Sequence, residues 1–131
     1  MAIRALCTNH SIKMMLPSLP ANLIELYVNG NQISVLPSLP STLRWLDCSE
    51  NLLSSLPPLP QLTHLYIRGN QFTTMPQLPS SLFWLDCSDN NLGDLGALPM
   101  SIRYLYCNST NISSLPPLPP YLTTLHCGNN N

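Results

Sequence analysis

Cysteine and histidine are the residues of this chain whose types could carry chemistry: thiolate nucleophilicity, metal ligation or proton transfer. There are 5 cysteines and 3 histidines. Four of the thiols, Cys48, Cys87, Cys107 and Cys127, recur at intervals of 39, 20 and 20 residues. No Cys-x-x-Cys occurs, so the usual spacing of a structural zinc site is missing and no metal is expected. His10, His64 and His126 have no carboxylate and nucleophile at a spacing that would build a triad. Regular recurrence is a property of a repeating scaffold rather than of a catalytic centre, so the elements that place these residues come first.

The composition describes an unusual scaffold. Charged residues make up 8% of the chain, against roughly 25% in an average soluble domain. Fourteen prolines and 26 leucines take their place. A net charge of −1 lacks the basic footprint of a nucleic-acid binder. No apolar run has the length of a membrane span. The opening stretch, Met1 to His10, has no continuous apolar segment of the secretory type, so an intracellular setting with reduced thiols is expected.

Alignment on leucine exposes an internal repeat. Leu23-Ile24-Glu25-Leu26-Tyr27-Val28-Asn29-Gly30-Asn31 is followed by the matching segments that open at Leu43, Leu62, Leu82, Ile102 and Leu122. These starts are spaced 20, 19, 20, 20 and 20 residues apart. The reading is one solenoid over residues 1–131. A degenerate first repeat occupies 1–22, where Ile3, Leu6 and Leu16-Pro17 sit one period early, and the repeat that begins at 122 is truncated.

The pattern Leu-x-x-Leu-x-apolar-x-x-Asn-x-apolar resembles that of the leucine-rich-repeat family. The short period and the tails Leu36-Pro37-Ser38-Leu39-Pro40, Leu56-Pro57-Pro58-Leu59-Pro60 and Leu115-Pro116-Pro117-Leu118-Pro119 resemble its short bacterial class. The resemblance implies kinship with secreted effectors of pathogenic bacteria, some of which carry a ubiquitin-ligase domain. Similar repeats occur in large DNA viruses. The expected fold is a β-rich member of the α/β-horseshoe class. About six short parallel strands form a concave sheet, and proline holds the convex side extended or in 3₁₀ turns without long helices.

Within that frame each position has a role. The ninth position should form a structural asparagine ladder (Asn31, Asn51, Asn70, Asn90, Asn130), broken by Thr110, that satisfies buried turn backbone. The sixth position points inward, making Cys48, Cys87, Cys107 and Cys127 buried rungs that behave as small hydrophobes. Cys87-Ser88-Asp89 resembles the Cys-x-Asp motif of effector ubiquitin ligases, but Cys48-Ser49-Glu50 shows that the match arises by repetition. Three glycosylation sequons, at Asn9, Asn108 and Asn111, are expected by chance among 13 asparagines and 15 serines.

The third and fifth positions project from the concave face. They gather Glu25, Tyr27, Trp45, Asp47, His64, Tyr66, Trp84, Asp86, Tyr104, Tyr106, Thr124 and His126. A row of aromatic side chains with acidic spots is the composition of a binding hot spot, or of rings stacked along a ladder. The expectation is a non-enzymatic module without cofactors that binds a protein partner through this face. It would work in the cytoplasm, of the host if the chain is an effector. The alternative is an assembly subunit, in a viral particle or other complex, whose solenoid ends stack on each other or on neighbours. A glycan-binding surface is a third class.

Overall fold

The computed structural model describes residues 3–8 and 13–131. His10 and Asn9 lie outside those residues. In chain order the strands are β1 (Ile3–Leu6), β2 (Lys13–Met15), β3 (Leu23–Tyr27), β4 (Gln32–Val35) and β5 (Trp45–Asp47). Then come β6 (His64–Tyr66), β7 (Trp84–Asp86), β8 (Tyr104–Tyr106) and β9 (Thr124–His126). Seven of them form one parallel sheet in the order β1-β3-β5-β6-β7-β8-β9. Each strand pairs with its equivalent one repeat on: Leu26, Leu46, Leu65, Leu85, Leu105 and Leu125 are successive partners. No described residue lies in an α- or 3₁₀-helix. A turn this short, with proline at its end, has no room for a helix.

The main sheet holds seven strands where about six were expected, because β1 pairs with β3. A second parallel pair, β2 with β4, lies in the segments after the sheet strands and was not foreseen. Strands of three and four residues leave little alternation to read.

Successive turns bury one another. The first-position residues Leu23, Leu43, Leu62, Leu82 and Ile102 are fully buried, as are Leu46, Leu65, Leu85 and Leu105 at the fourth. Ile33, Leu53, Phe72, Leu92 and Ile112 close the core beyond the asparagines. Leu122 and Leu125, in the last turn, are only half-buried because no further strand covers β9 among the described residues.

The asparagines join neighbouring turns. The Asn51 amide donates to the carbonyls of Cys48 and Ser49 in its own turn and of Val28 in the turn before, at 3.0–3.1 Å. Its Oδ1 accepts from the Ile33 N–H at 3.0 Å. Asn70 and Asn90 repeat the arrangement, accepting from Leu53 and Phe72. Asn130 accepts from both Thr110 and Ile112, and Asn31 donates to Cys7, Val28 and Asn29. Thr110 is buried at the break, and its hydroxyl donates to Cys107 O and Asn130 Oδ1. Its side chain gives the preceding turn no acceptor equivalent to the asparagine oxygen; the Thr110 carbonyl takes the Gly93 N–H at 3.0 Å instead, and among the described residues the Leu92 N–H has no acceptor.

The residue before each ladder position adopts the left-handed conformation. Gly30 and Gly69 do so at φ 68° and 63°, but Glu50, Asp89, Ser109 and Asn129 do so at 53–55°. Such a φ is costly for a residue with a side chain, so the ladder's geometry outweighs local preference in those four turns. The single 19-residue repeat is accommodated just before β6. There Leu62 N–H bonds Pro60 O, a three-residue turn. Leu43, Leu82, Ile102 and Leu122 bond one residue further back.

Hydroxyls reinforce the stacking on the approach to the strands: Thr42, Ser81 and Ser101 donate to the first-position carbonyls of the preceding turns. At the shortened repeat Gln61 takes the equivalent place. Arg44 Nη1 bonds Leu43 O instead, at 2.9 Å.

Asn51→Ala or Asn90→Ala strands one N–H and several carbonyls and should cost about 1–3 kcal/mol in denaturant unfolding. Gln71→Ala, at an exposed side chain, should stay within about 0.5 kcal/mol. Equal effects would contradict the ladder's role.

Candidate functional site

The third and fifth positions share the outer face of the seven-stranded sheet because alternate residues of a strand point to opposite sides. Register then lines up Glu25, Trp45, His64, Trp84, Tyr104 and Thr124 in one row. Tyr27, Asp47, Tyr66, Asp86, Tyr106 and His126 form the row beside it. His126 is exposed and the rest are half-buried.

The rings stack. Trp45 and His64 lie 4.1 Å apart at 14°, and Trp84 and Tyr104 lie 4.6 Å apart at 23°. Cross-row contacts tie Trp45 to Tyr66 (5.5 Å) and Trp84 to Tyr106 (5.3 Å), and Tyr106 stacks on His126 within its own row (4.7 Å). Tyr27 reaches Trp45 and Tyr66 reaches Trp84, each at 6.0 Å. The array therefore runs from β3 to β9. Its rings face each other along the sheet, so flat faces of the kind a sugar would stack on are largely taken. Phe83 also joins it, 5.3 Å from Tyr104 and 40% exposed. Sequence reading passed over this second-position residue, although it is the one aromatic among Ile24, Arg44, Thr63, Phe83, Arg103 and Thr123.

Charge on the face is unevenly neutralised. Glu25 pairs with Arg4 at 2.7 Å and accepts from the Tyr27 hydroxyl. Arg68 pairs with Asp89 at 2.8 Å and reaches Glu50 at 3.8 Å. Arg44 bonds backbone carbonyls, and Arg103 lies over the Tyr121 ring at 4.7 Å. Asp47 and Asp86 make no ion pair among the described residues; each uses one oxygen to accept the N–H of Ser49 or Ser88 at 3.1 Å. Burial, helped by these two carboxylates, pushes the Tyr66 hydroxyl up to about 12. Burial lowers the His64 imidazole, which keeps it neutral and suited to stacking on Trp45. The indole N–H groups of Trp45 and Trp84 are buried without a protein acceptor.

The sixth-position column carries the thiols. Cys48, Cys87 and Cys107 are buried, and burial raises all three, Cys107 to about 11. Cys48 and Cys87 donate to Tyr66 O and Tyr106 O. Cys127 was expected to be buried but is half-buried, since nothing covers the last strand. Cys7 is a fifth rung that sequence reading missed. Its N–H bonds Tyr27 O just as Cys48 N–H bonds Tyr66 O, but a register shift after Ile3 disguises the spacing. Cys87 meets no requirement of a nucleophile, being inaccessible and protonated, and Asp89 is engaged by Arg68. No cluster of His, Cys, Asp and Glu among the described residues could hold a metal ion.

Stacked 20-residue turns, an asparagine ladder and a parallel sheet define a leucine-rich-repeat solenoid. The chain is built of leucine-rich repeats, and they resemble the short bacterial type. Family models for "Leucine Rich repeats (2 copies)" and "Leucine Rich Repeat" match residues 41–80 and 22–43. Among solved structures, YopM from Yersinia enterocolitica WA-314 is similar, at 42% identity and a TM-score of 0.87 over 89% of this chain. A Shigella effector leucine-rich-repeat domain superposes over 98% of this chain at 30% identity, with a TM-score of 0.91. YopM from Yersinia pestis, a leucine-rich effector protein, matches at 29% identity over 98%, with a TM-score of 0.84. The chain spans 26%, 59% and 42% of those chains in turn. No curated protein matches the chain. Among the described residues there is no helix long and apolar enough to cross a membrane.

Native thiol labelling followed by mass spectrometry should modify Cys7 and Cys127 and spare Cys48, Cys87 and Cys107 until the chain is unfolded. Rapid modification of Cys87 in the folded protein would contradict the buried column.

Proposed function

We propose that this chain is a non-enzymatic protein-interaction module, and that its partner docks on the aromatic face of the seven-stranded sheet. One observation carries the reading: a continuous array of rings, from Tyr27 to His126, lies half-exposed on a regular sheet whose core is already complete beneath it. Rings fixed by stacking lose little conformational freedom on binding, and such groups dominate interface energetics. The likeness to effector proteins supports a partner in the host cell, met in the host cytoplasm. Cys48, Cys87 and Cys107 buried in the core and a sheet face without a nucleophile–base pair favour recognition over catalysis.

Affinity capture from host-cell lysate with quantitative mass spectrometry tests this. Proteins enriched by the wild-type chain should fall at least about tenfold with Trp45→Ala plus Trp84→Ala, a loss of roughly 1.4 kcal/mol or more. Phe83→Arg, at the exposed margin of the array, should weaken them without disturbing the stacked pairs. Leu118→Ser, on the return wall, should leave them unchanged, and circular dichroism should report each variant folded. Retention by both face variants would overturn the docking site; enrichment of nothing by the wild type would overturn the interaction module.

A further inference from the structure

The fifth-position row carries negative charge that the protein leaves open. Asp47 and Asp86 occupy equivalent places two strands apart, with Tyr66 between them in register. The four arginines are engaged elsewhere: with Glu25, with Asp89 and Glu50, with backbone carbonyls, and with the Tyr121 ring. Each aspartate has one oxygen on a backbone N–H and no ion-pair partner among the described residues. Two half-buried carboxylates beside apolar rings call for cations supplied from outside.

Spacing narrows the choice. Two strand separations place Asp47 and Asp86 roughly 10 Å apart. Residues seven apart on an α-helix lie on one face and are about 10.5 Å apart. In an extended segment, residues three apart cover a similar length but point to opposite sides. The face is also narrow, since β5 to β9 are three residues long, or about 10 Å. That is close to the 10–12 Å diameter of a helix lying along the stacking direction.

We infer that Asp47 and Asp86 are paired anchors for a basic helix of the partner protein, which brings two cationic side chains seven residues apart and an apolar one between them over Tyr66. This rests on the reading of the sheet face as a docking surface. Charge complementarity would supply register along a row of rings that is otherwise repetitive, because Glu50 and Asp89, the other carboxylates at that spacing, share Arg68 between them and leave Asp47 and Asp86 as the open pair.

The probe is a synthetic helical peptide of about 18 residues without tryptophan, carrying arginines at i and i+7 and leucine at i+4. An isomer of equal charge carries its arginines at i and i+5, on different faces. The 2 tryptophans of the chain report binding by fluorescence. The i, i+7 peptide should bind about tenfold tighter than its isomer and weaken as salt rises to about 0.5 M. Asp47→Asn plus Asp86→Asn keeps an oxygen for the Ser49 and Ser88 N–H groups and should abolish that preference. Equal binding of the two peptides, no binding, or unchanged binding by the Asn variant would each overturn the inference. Partners captured from lysate separate it from the reading beneath it. Loss with the Trp45 and Trp84 variant but retention with the Asn variant leaves the face standing and removes the anchors. Retention by both removes the two together.

Discussion

A short repeat turn must bury backbone N–H and C=O groups that no helix and no long sheet can pair, and everything else in this solenoid depends on how that is solved. One carboxamide per turn does it. An asparagine donates to carbonyls of its own turn and of the preceding one while accepting an N–H from the latter. Such a bond links two turns at a fixed offset, so it sets the rise between them as well as satisfying the groups. The ladder is strong enough to hold Glu50, Asp89, Ser109 and Asn129 at positive φ beside it. It also tolerates a one-residue deletion, because the shortening falls in a turn remote from the carboxamides.

Fixed rise has a consequence on the opposite side of the strand. Side chains at the third and fifth positions come into register by virtue of the core, whatever their own chemistry. Neighbouring rings then meet at stacking distance, and carboxylates in alternate turns are held at a constant interval. The low charge of the chain follows from the same economy of positions. Inward leucines, ladder asparagines and proline returns occupy most of a 20-residue turn, which leaves the sheet face as the place where residue types vary most.

Much of this is legible in the sequence because stacking turns translates position directly into location. The leucine columns, the asparagine positions and the division of strands into inward and outward residues follow from period alone. What escaped has physical causes. Cys7 is a rung hidden by a register shift after Ile3, which breaks the period where the repeat is already degenerate. The pairing of β2 with β4 rests on backbone bonds between segments too short to show an alternation. Cys127 and Leu125 keep partial exposure because burial in a solenoid comes from the next turn, not from the residue's own repeat. Phe83 belongs to the ring array from a position that in other turns holds aliphatic, threonine or arginine side chains. For the candidate site, alternation told which residues share a face; stacking distances, ion pairing and the open carboxylates of Asp47 and Asp86 needed side-chain geometry.

Residue-resolved amide hydrogen exchange tests the ladder most directly, since one turn lacks it. The N–H groups of Ile33, Leu53 and Phe72 donate to asparagine oxygens, whereas the equivalent Leu92 N–H has no acceptor among the described residues, the Thr110 carbonyl taking the Gly93 N–H beside it. Slow exchange at Ile33, Leu53 and Phe72 with markedly faster exchange at Leu92 is the expected result. Protection at Leu92 equal to that of the other three would contradict the view that the asparagine carboxamides hold the turns together.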